Sequence, residues 1–378
     1  MAKPEEQVLA AVLYAEKDMR IEQKSVASPQ SGELQILVTH TGICGSDLHY
    51  YHHGRNGDFA LQHPLSLGHE SAGVVTAIGP DVDNYKIGDR VALEVGVPCE
   101  KCKYCTQGRY NLCPDMKFRS SCKTAPHYDG TLVQKVNHPA RWCHKVPVEI
   151  KDLALAALAE PLAVSLQGIK RSQIIPTDEA SVLVLGAGAV GLLTAFAAKA
   201  KGGAKHVEIA DISAERVEFA IVNGFADHGI VLPTTKLTTE EGPLAAAIAQ
   251  ASFLKSKAGT DSGFDVVYEC TGVQICVQTA VLACRAGSKV ILIGMGAPIQ
   301  LFAVGSAATR EVDIIGVFRY ANTYPDALGL VARNGTMIGK LVTHNVTLNN
   351  AVSAFELASS PMDKNKNLVI KVMITSEC

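Results

Sequence analysis

The chain has 378 residues, 47% of them hydrophobic and 19% charged, with a net charge of −2. That length carries two domains with full cores, and that composition excludes a disordered chain or a general field attracting nucleic acid or membrane. Eleven cysteines and an N-terminus that opens on charges rather than an apolar signal core lead us to expect a reducing, cytoplasmic setting, where cysteines serve metals rather than disulfides.

Residues 32–93 read as β. Leu34, Ile36 and Val38 alternate with other positions, and 73–79 and 89–93 are short apolar runs between turn residues. Two loops rich in ligand-type side chains lie among them, Gly42-Ile-Cys-Gly-Ser-Asp-Leu-His-Tyr50 and Leu67-Gly-His-Glu-Ser71. Cys44, His69 and Glu70 offer sulfur, nitrogen and oxygen. Zinc accepts all three, and an incomplete protein set leaves room for water or substrate.

Residues 94–123 read as a loop-like segment. Cys99, Cys102, Cys105 and Cys113 follow the spacing C-x2-C-x2-C-x7-C. Four thiolates this dense suit a closed, structural tetrahedral zinc, although an iron–sulfur cluster can use similar spacing. Cys122 and Cys143 stand outside the set. Further on, Pro161 suits the first turn of a helix, which places Glu160 near an N-cap, where the helix dipole favours an ionised carboxylate.

The strongest signal begins at Ser181. An apolar run, Val182 to Leu185, is followed by Gly186, Gly188 and Gly191 in the spacing G-x-G-x-x-G, and then by an Ala-rich helical segment. Strand, glycine turn and helix aim free N–H groups and a helix dipole at a pyrophosphate. The next strand ends in Asp211, twenty positions after Gly191. A carboxylate there pairs with the ribose hydroxyls and repels a 2′-phosphate, so it favours NAD over NADP. The uncharged stretch 180–198 is long enough to raise a membrane span, but glycines at nucleotide-loop spacing argue against one.

Strands near 205–210, 228–232, 264–269, 288–293 and 312–317 alternate with helices near 189–201, 213–223, 241–257 and 273–286. Gly224 and Gly287 are the expected C-caps. The pattern predicts an α/β, doubly wound parallel sheet. Residues 234–263 are longer and more polar than one crossover needs, with a loop expected over 256–263. The tail reads as helices near 326–333 and 350–358 and a final strand over 368–374.

Together these segments resemble the zinc-dependent medium-chain dehydrogenase/reductase family. Gly68-His-Glu-Ser-Ala-Gly-Val-Val75 is similar to its zinc signature, 42–49 to its first ligand loop and 99–113 to its structural-zinc lobe. Tyr50, Glu160-Pro-Leu-Ala-Val164 and Gly316-Val-Phe-Arg-Tyr-Ala-Asn-Thr-Tyr324 resemble the branch that oxidises polyols such as sorbitol, xylitol and L-arabinitol. Alcohol dehydrogenases of the family carry cysteine where Glu160 stands.

The resemblance implies a mainly β, GroES-like catalytic domain over 1–160 and 317–378, a Rossmann domain over 161–316, and an active cleft between them. It implies two zinc ions and NAD. Cys44, His69 and at least one of Glu70 and Glu160 hold the catalytic zinc. A second ionised carboxylate would make that site net negative, so one carboxylate is expected outside the ligand set, acting as a base. Asp47 orients the ligating histidine, and Ser46 and His49 carry the alcohol proton outwards. Tyr50, Glu160, Arg319 and Tyr320 contact the substrate. Gly186, Gly188, Val190, Gly191, Asp211, Ile212, Arg216, Ile293, Gly294, Met295, Val317, Phe318 and Arg319 contact the coenzyme. The expected reaction converts sorbitol or xylitol to a ketose in a homotetramer that binds neither nucleic acid nor membrane. L-Arabinitol oxidation at C4 and oxidation of simpler secondary alcohols are the alternatives. A zinc module for nucleic acid or protein around Cys99–Cys113 finds no second basic element.

Overall fold

The computed structural model describes residues 5–174, 180–233 and 242–376. The chain forms two compact units, Met1–Glu160 with Tyr324–Cys378, and Pro161–Thr323.

The first unit is mainly β. Its largest sheet runs in the order Cys143–Lys145, Arg90–Leu93, Glu70–Ile78, Glu33–Gly42, Lys371–Thr375, Val342–Thr347, and Lys135–Pro139 also pairs with Glu33–Gly42. Leu34, Ile36 and Val38 are all buried, as their alternation requires. One register matters for the site: Gly42 faces Glu70 on one side and Met373 on the other. The last strand of the chain thereby lies beside the metal-ligand loops.

Four elements here differ from the sequence reading. Glu6–Ala15 and Asp18–Val26 pair as antiparallel strands ahead of the region read as β; the first is rich in alanine, which has little strand propensity. Residues 45–50, expected as part of a loop, belong to the helix Gly45–His53. Val342–Thr347 is a strand parallel to Lys371–Thr375.

Glu160 sits inside the first turn of the helix Ala159–Ser172 rather than before it, still where the dipole favours a carboxylate. The helical run 153–172 is long and apolar enough to cross a membrane, but 83% of its apolar window is buried, which makes it a core element. The stretch 180–198 is a strand followed by a helix.

In the second unit the strands lie in the order His228–Val231, His206–Asp211, Ser181–Leu185, Phe264–Glu269, Cys284–Leu292, Asp313–Gly316, all parallel. This is the doubly wound order, reversing beside the first strand. Gly224 takes φ +77° just past the helix Ala214–Val222. Its N–H bonds to Ile221 O and that of Phe225 to Ala220 O, a Schellman end.

Gly287 does not cap a helix. The helix Gln274–Ala283 ends earlier, because Cys284 already pairs with Phe264, and Gly287 lies in the irregular stretch before Lys289 meets Val266. The helix Gly242–Lys257 runs two residues into the loop expected over 256–263, which begins at 258, while 234–241 lie outside the described residues. The second unit runs past 317 to Thr323. Val317 N–H bonds to Leu292 O and the Thr323 hydroxyl to Ala163 O.

Candidate active site

Cys44 is the N-cap of the helix Gly45–His53. Asp47, in that helix's first turn, accepts the Cys44 N–H at 3.1 Å through Oδ2. Its Oδ1 accepts from Gly68 N–H at 3.1 Å and from the Ser120 hydroxyl at 2.6 Å, and lies 3.2 Å from His69 Nδ1. One buried carboxylate thus ties both ligand loops together. Burial works against its charge, but His69 and the donors outweigh burial and hold its pKa below the usual range. With Nδ1 turned to Asp47, His69 presents Nε2, which lies 3.4 Å from the Ser46 hydroxyl.

Cys44 Sγ, a ring nitrogen of His69 and a carboxylate oxygen of Glu70 all lie within 4.8 Å of one another. That donor set and spacing fit zinc with a position open for another ligand. Glu160 is not in this cluster, but it is buried and near enough for its charge to act on Lys371 and Tyr324.

The sequence reading missed Lys371. Its Nζ lies 2.8 Å from both carboxylate oxygens of Glu70 and 3.0 Å from Ile43 O, with both side chains buried. Burial disfavours the ammonium, yet the charges of Glu70, Cys44 and Glu160 and the hydrogen bond to Glu70 together outweigh it and raise the lysine pKa. A single lysine in an otherwise apolar final strand, Val369-Ile-Lys-Val-Met-Ile374, was the available signal.

In the lobe, the sulfurs of Cys99, Cys102, Cys105 and Cys113 lie within 4.8 Å of one another. Thiolates around a tetrahedral zinc stand about 3.8 Å apart, given Zn–S bonds of about 2.3 Å, so the four fit a closed site. The segment is not all loop, since Lys103–Thr106 is a helical turn. Tyr110, between the third and fourth cysteines, donates to Glu94 at 2.6 Å, and His144 Nε2 meets the same carboxylate at 2.7 Å. Glu94 therefore anchors the lobe to the sheet.

In the second unit the glycine loop has the shape of a phosphate cradle. Gly186 takes φ +98°, and a Cβ on Gly191 would fall 1.8 Å from Gly186 O. Gly188 is the N-cap of the helix Ala189–Ala200, with Val190 in its first turn. Asp211 Oδ2 accepts Ala187 N–H at 2.7 Å and Oδ1 accepts Ser213 N–H at 2.9 Å. Ile212 is exposed beside it, and Arg216 lies in the first turn of the helix Ala214–Val222, its N–H capped by Ser213. These residues meet the steric needs of a dinucleotide.

Ile293, Gly294 and Met295 follow the strand Cys284–Leu292, and Val317 and Phe318 follow Asp313–Gly316, at the carboxyl ends where dinucleotides bind. Glu269, also missed from sequence, organises this edge. Its buried carboxylate accepts Thr271 N–H at 2.7 Å, the Thr271 hydroxyl, and Gly272 N–H. Burial raises its pKa. The resulting turn packs so closely that a Cβ on Gly294 would fall 2.2 Å from Gly272 N.

Of the expected substrate residues, Tyr50 is 1% exposed within an apolar cluster that includes Ile43, Tyr51 and Leu67. Its hydroxyl accepts the Cys122 N–H at 3.1 Å, and burial pushes its pKa up to about 12. His49 is exposed on the same helix, its ring 6.1 Å from that of His53. Arg319 takes φ +52° with its guanidinium 4.7 Å from the Phe318 ring centre, and Tyr320 is buried.

Residues 30–148 match the family model described as alcohol dehydrogenase GroES-like domain, and 189–333 that described as zinc-binding dehydrogenase. The chain is 39% identical over 350 residues to sorbitol dehydrogenase of Gallus gallus, covering 93% of each chain. It is 39% identical over 358 residues to a probable D-xylulose reductase A of Arthroderma otae, covering 94% of this chain and 95% of that one. Among solved structures, an oxidoreductase/dehydrogenase of unknown specificity from Escherichia coli superposes with a TM-score of 0.83 at 31% identity, covering 99% and 100% of the two chains. The chain belongs to the zinc-binding medium-chain dehydrogenase/reductase family, pairing a GroES-like β domain with a Rossmann domain, and is closely related to the sorbitol dehydrogenases.

Proposed function

We propose that this protein oxidises sorbitol or xylitol at C2 to fructose or xylulose, passing the hydride to NAD. The observation that carries the reading is the convergence of Cys44, His69 and Glu70, with Asp47 behind the histidine. Zinc supplies Lewis acidity that lowers the pKa of a substrate hydroxyl when bound there, and NAD supplies the hydride acceptor. Cys44 and His69 hold the metal, with Glu70 beside them, and Asp47 fixes the histidine tautomer. Glu160 accepts the hydroxyl proton or holds a water, and Ser46 and His49 pass that proton to solvent. The carbinol carbon loses a hydride and its oxygen a proton, so polyol and NAD become ketose, NADH and a proton.

Asp211 sets the coenzyme choice, with Gly186, Gly188, Val190, Gly191, Ile212 and Arg216 on the adenosine side. Ile293, Gly294, Met295, Val317, Phe318 and Arg319 serve the other end. Tyr50, Arg319 and Tyr320 read hydroxyls beyond the reacting one. The Cys99–Cys113 lobe holds a second, structural zinc. The functional domains divide at Glu160 and near 317–324. Exposed apolar residues Ile299, Leu301 and Val304, which precede the sheet's last strand in the chain, and Ile314 within that strand support a homo-oligomer, which we assign as a tetramer in the cytoplasm. NAD reduction against a panel of pentitols and hexitols, with metal analysis of the same preparation, tests the reading. L-Arabinitol as the preferred substrate would move it to C4 oxidation.

A further inference from the structure

A charged pair this deep is not there for stability alone. Stripping both ions of water costs about as much as their attraction returns, and apolar residues of similar volume would serve as well. Yet Glu70 and Lys371 are enclosed together on adjoining parts of the sheet. Gly42 makes the room: a Cβ there would fall 2.2 Å from Glu70 Oε2. The Glu70 carboxylate is therefore pinned between Gly42 and the lysine, with both oxygens at 2.8 Å from Nζ. It still keeps an oxygen within 4.8 Å of the Cys44 and His69 donors.

Two cations then compete for one carboxylate. From this geometry we infer that Lys371 is a positioning residue for the metal centre, drawing charge from Glu70 and restraining its donation to the ion held by Cys44 and His69. The lysine also changes the charge count. One thiolate, two carboxylates and one ammonium leave two negative charges, which a divalent ion cancels.

The inference rests on the reading of Cys44, His69 and Glu70 as a metal site. Its test uses the full chain, exchanged with cobalt(II) as a visible probe, and measures zinc affinity by chelator competition. Lys371→Met removes the competing cation and should tighten zinc by about 10- to 100-fold, the range over which groups behind metal ligands act. The cobalt d–d bands should shift as Glu70 moves onto the ion. Lys371→Arg keeps the charge and should resemble the wild type in both. If Lys371→Met does not fold, Lys371→Gln keeps a donor for Ile43 O, removes the charge, and carries the same expectation. Unchanged or weaker zinc binding in the neutral variants, with unchanged cobalt bands, would overturn the inference and leave Lys371 a structural residue. A wild type whose metal content does not fall on Cys44→Ser would instead overturn the site itself, and the inference with it.

Discussion

Asp211 Oδ2 accepts the N–H of Ala187 at 2.7 Å, so the carboxylate that ends one strand fixes the loop that ends its neighbour. The same side chain is thus placed at the glycine cradle before any coenzyme arrives. Asp211→Ala with Ile212→Arg should raise KM for NAD by at least about tenfold, the loss of one charge-assisted contact, and should give measurable rates with NADP. Comparable wild-type rates with NAD and NADP would remove the role given to Asp211.

The four-cysteine lobe predicts a stability effect separable from chemistry. Cys102 Sγ lies 3.5 Å from Cys105 Sγ, and a closed thiolate site contributes folding free energy. Cys102→Ser should release one zinc per chain and lower Tm by at least about 5 °C, the shift that roughly 2 kcal/mol makes in a unit of this size. Calorimetry with elemental analysis checks it. One zinc per chain in fully active wild type would contradict the structural site.

His138 predicts a pH effect. Arg119 Nε donates to its Nδ1 at 3.1 Å and its Nε2 donates to Glu94 O at 3.0 Å, so the buried ring is held neutral. Burial and then Arg119 push its pKa well below the usual value. Below about pH 6.5 the unfolded chain takes up a proton that the folded ring refuses. The contribution of His138 is therefore fully present above that pH and is lost as pH falls, by up to about 1.4 kcal/mol per unit. Urea unfolding at pH 7.5, 6.5 and 5.5 should show a shallower acid limb for His138→Gln than for the wild type. Parallel limbs would show that His138 does not drive it.

The parts of the molecule legible in sequence were those with a local signal. Gly186, Gly188, Gly191 and Asp211 lie within one βαβ unit, and the lobe cysteines within fifteen residues. The doubly wound order followed from strands and helices that alternate regularly. Lys371 was not legible, because its partner Glu70 is 301 positions away and only strand register brings them together. The helix at 45–53 was hidden by Cys44, Ser46, Asp47 and His49, which read as a loop rich in ligand-type side chains, and Glu269 by its place at the end of an apolar strand. Gly287 misled because a glycine after a helical pattern marks a bulge as readily as a cap.

Arg319 separates substrate reading from support of the fold. Arg319→Leu should lower kcat/KM for a polyol by about a hundredfold, the scale of a charged hydrogen bond, and by far less for a simple secondary alcohol. Equal losses on both would assign Arg319 to the coenzyme or to the loop it closes at φ +52°.

The most direct test compares NAD reduction on sorbitol, on xylitol and on 2-propanol by the same zinc-loaded preparation. A site that hydrogen-bonds hydroxyls beyond the reacting one leaves those groups unpaired when the substrate lacks them. The account predicts kcat/KM for sorbitol or xylitol on the order of 10⁴-fold above that for 2-propanol. Equal efficiency on 2-propanol would contradict it and make this chain an oxidant of simple secondary alcohols.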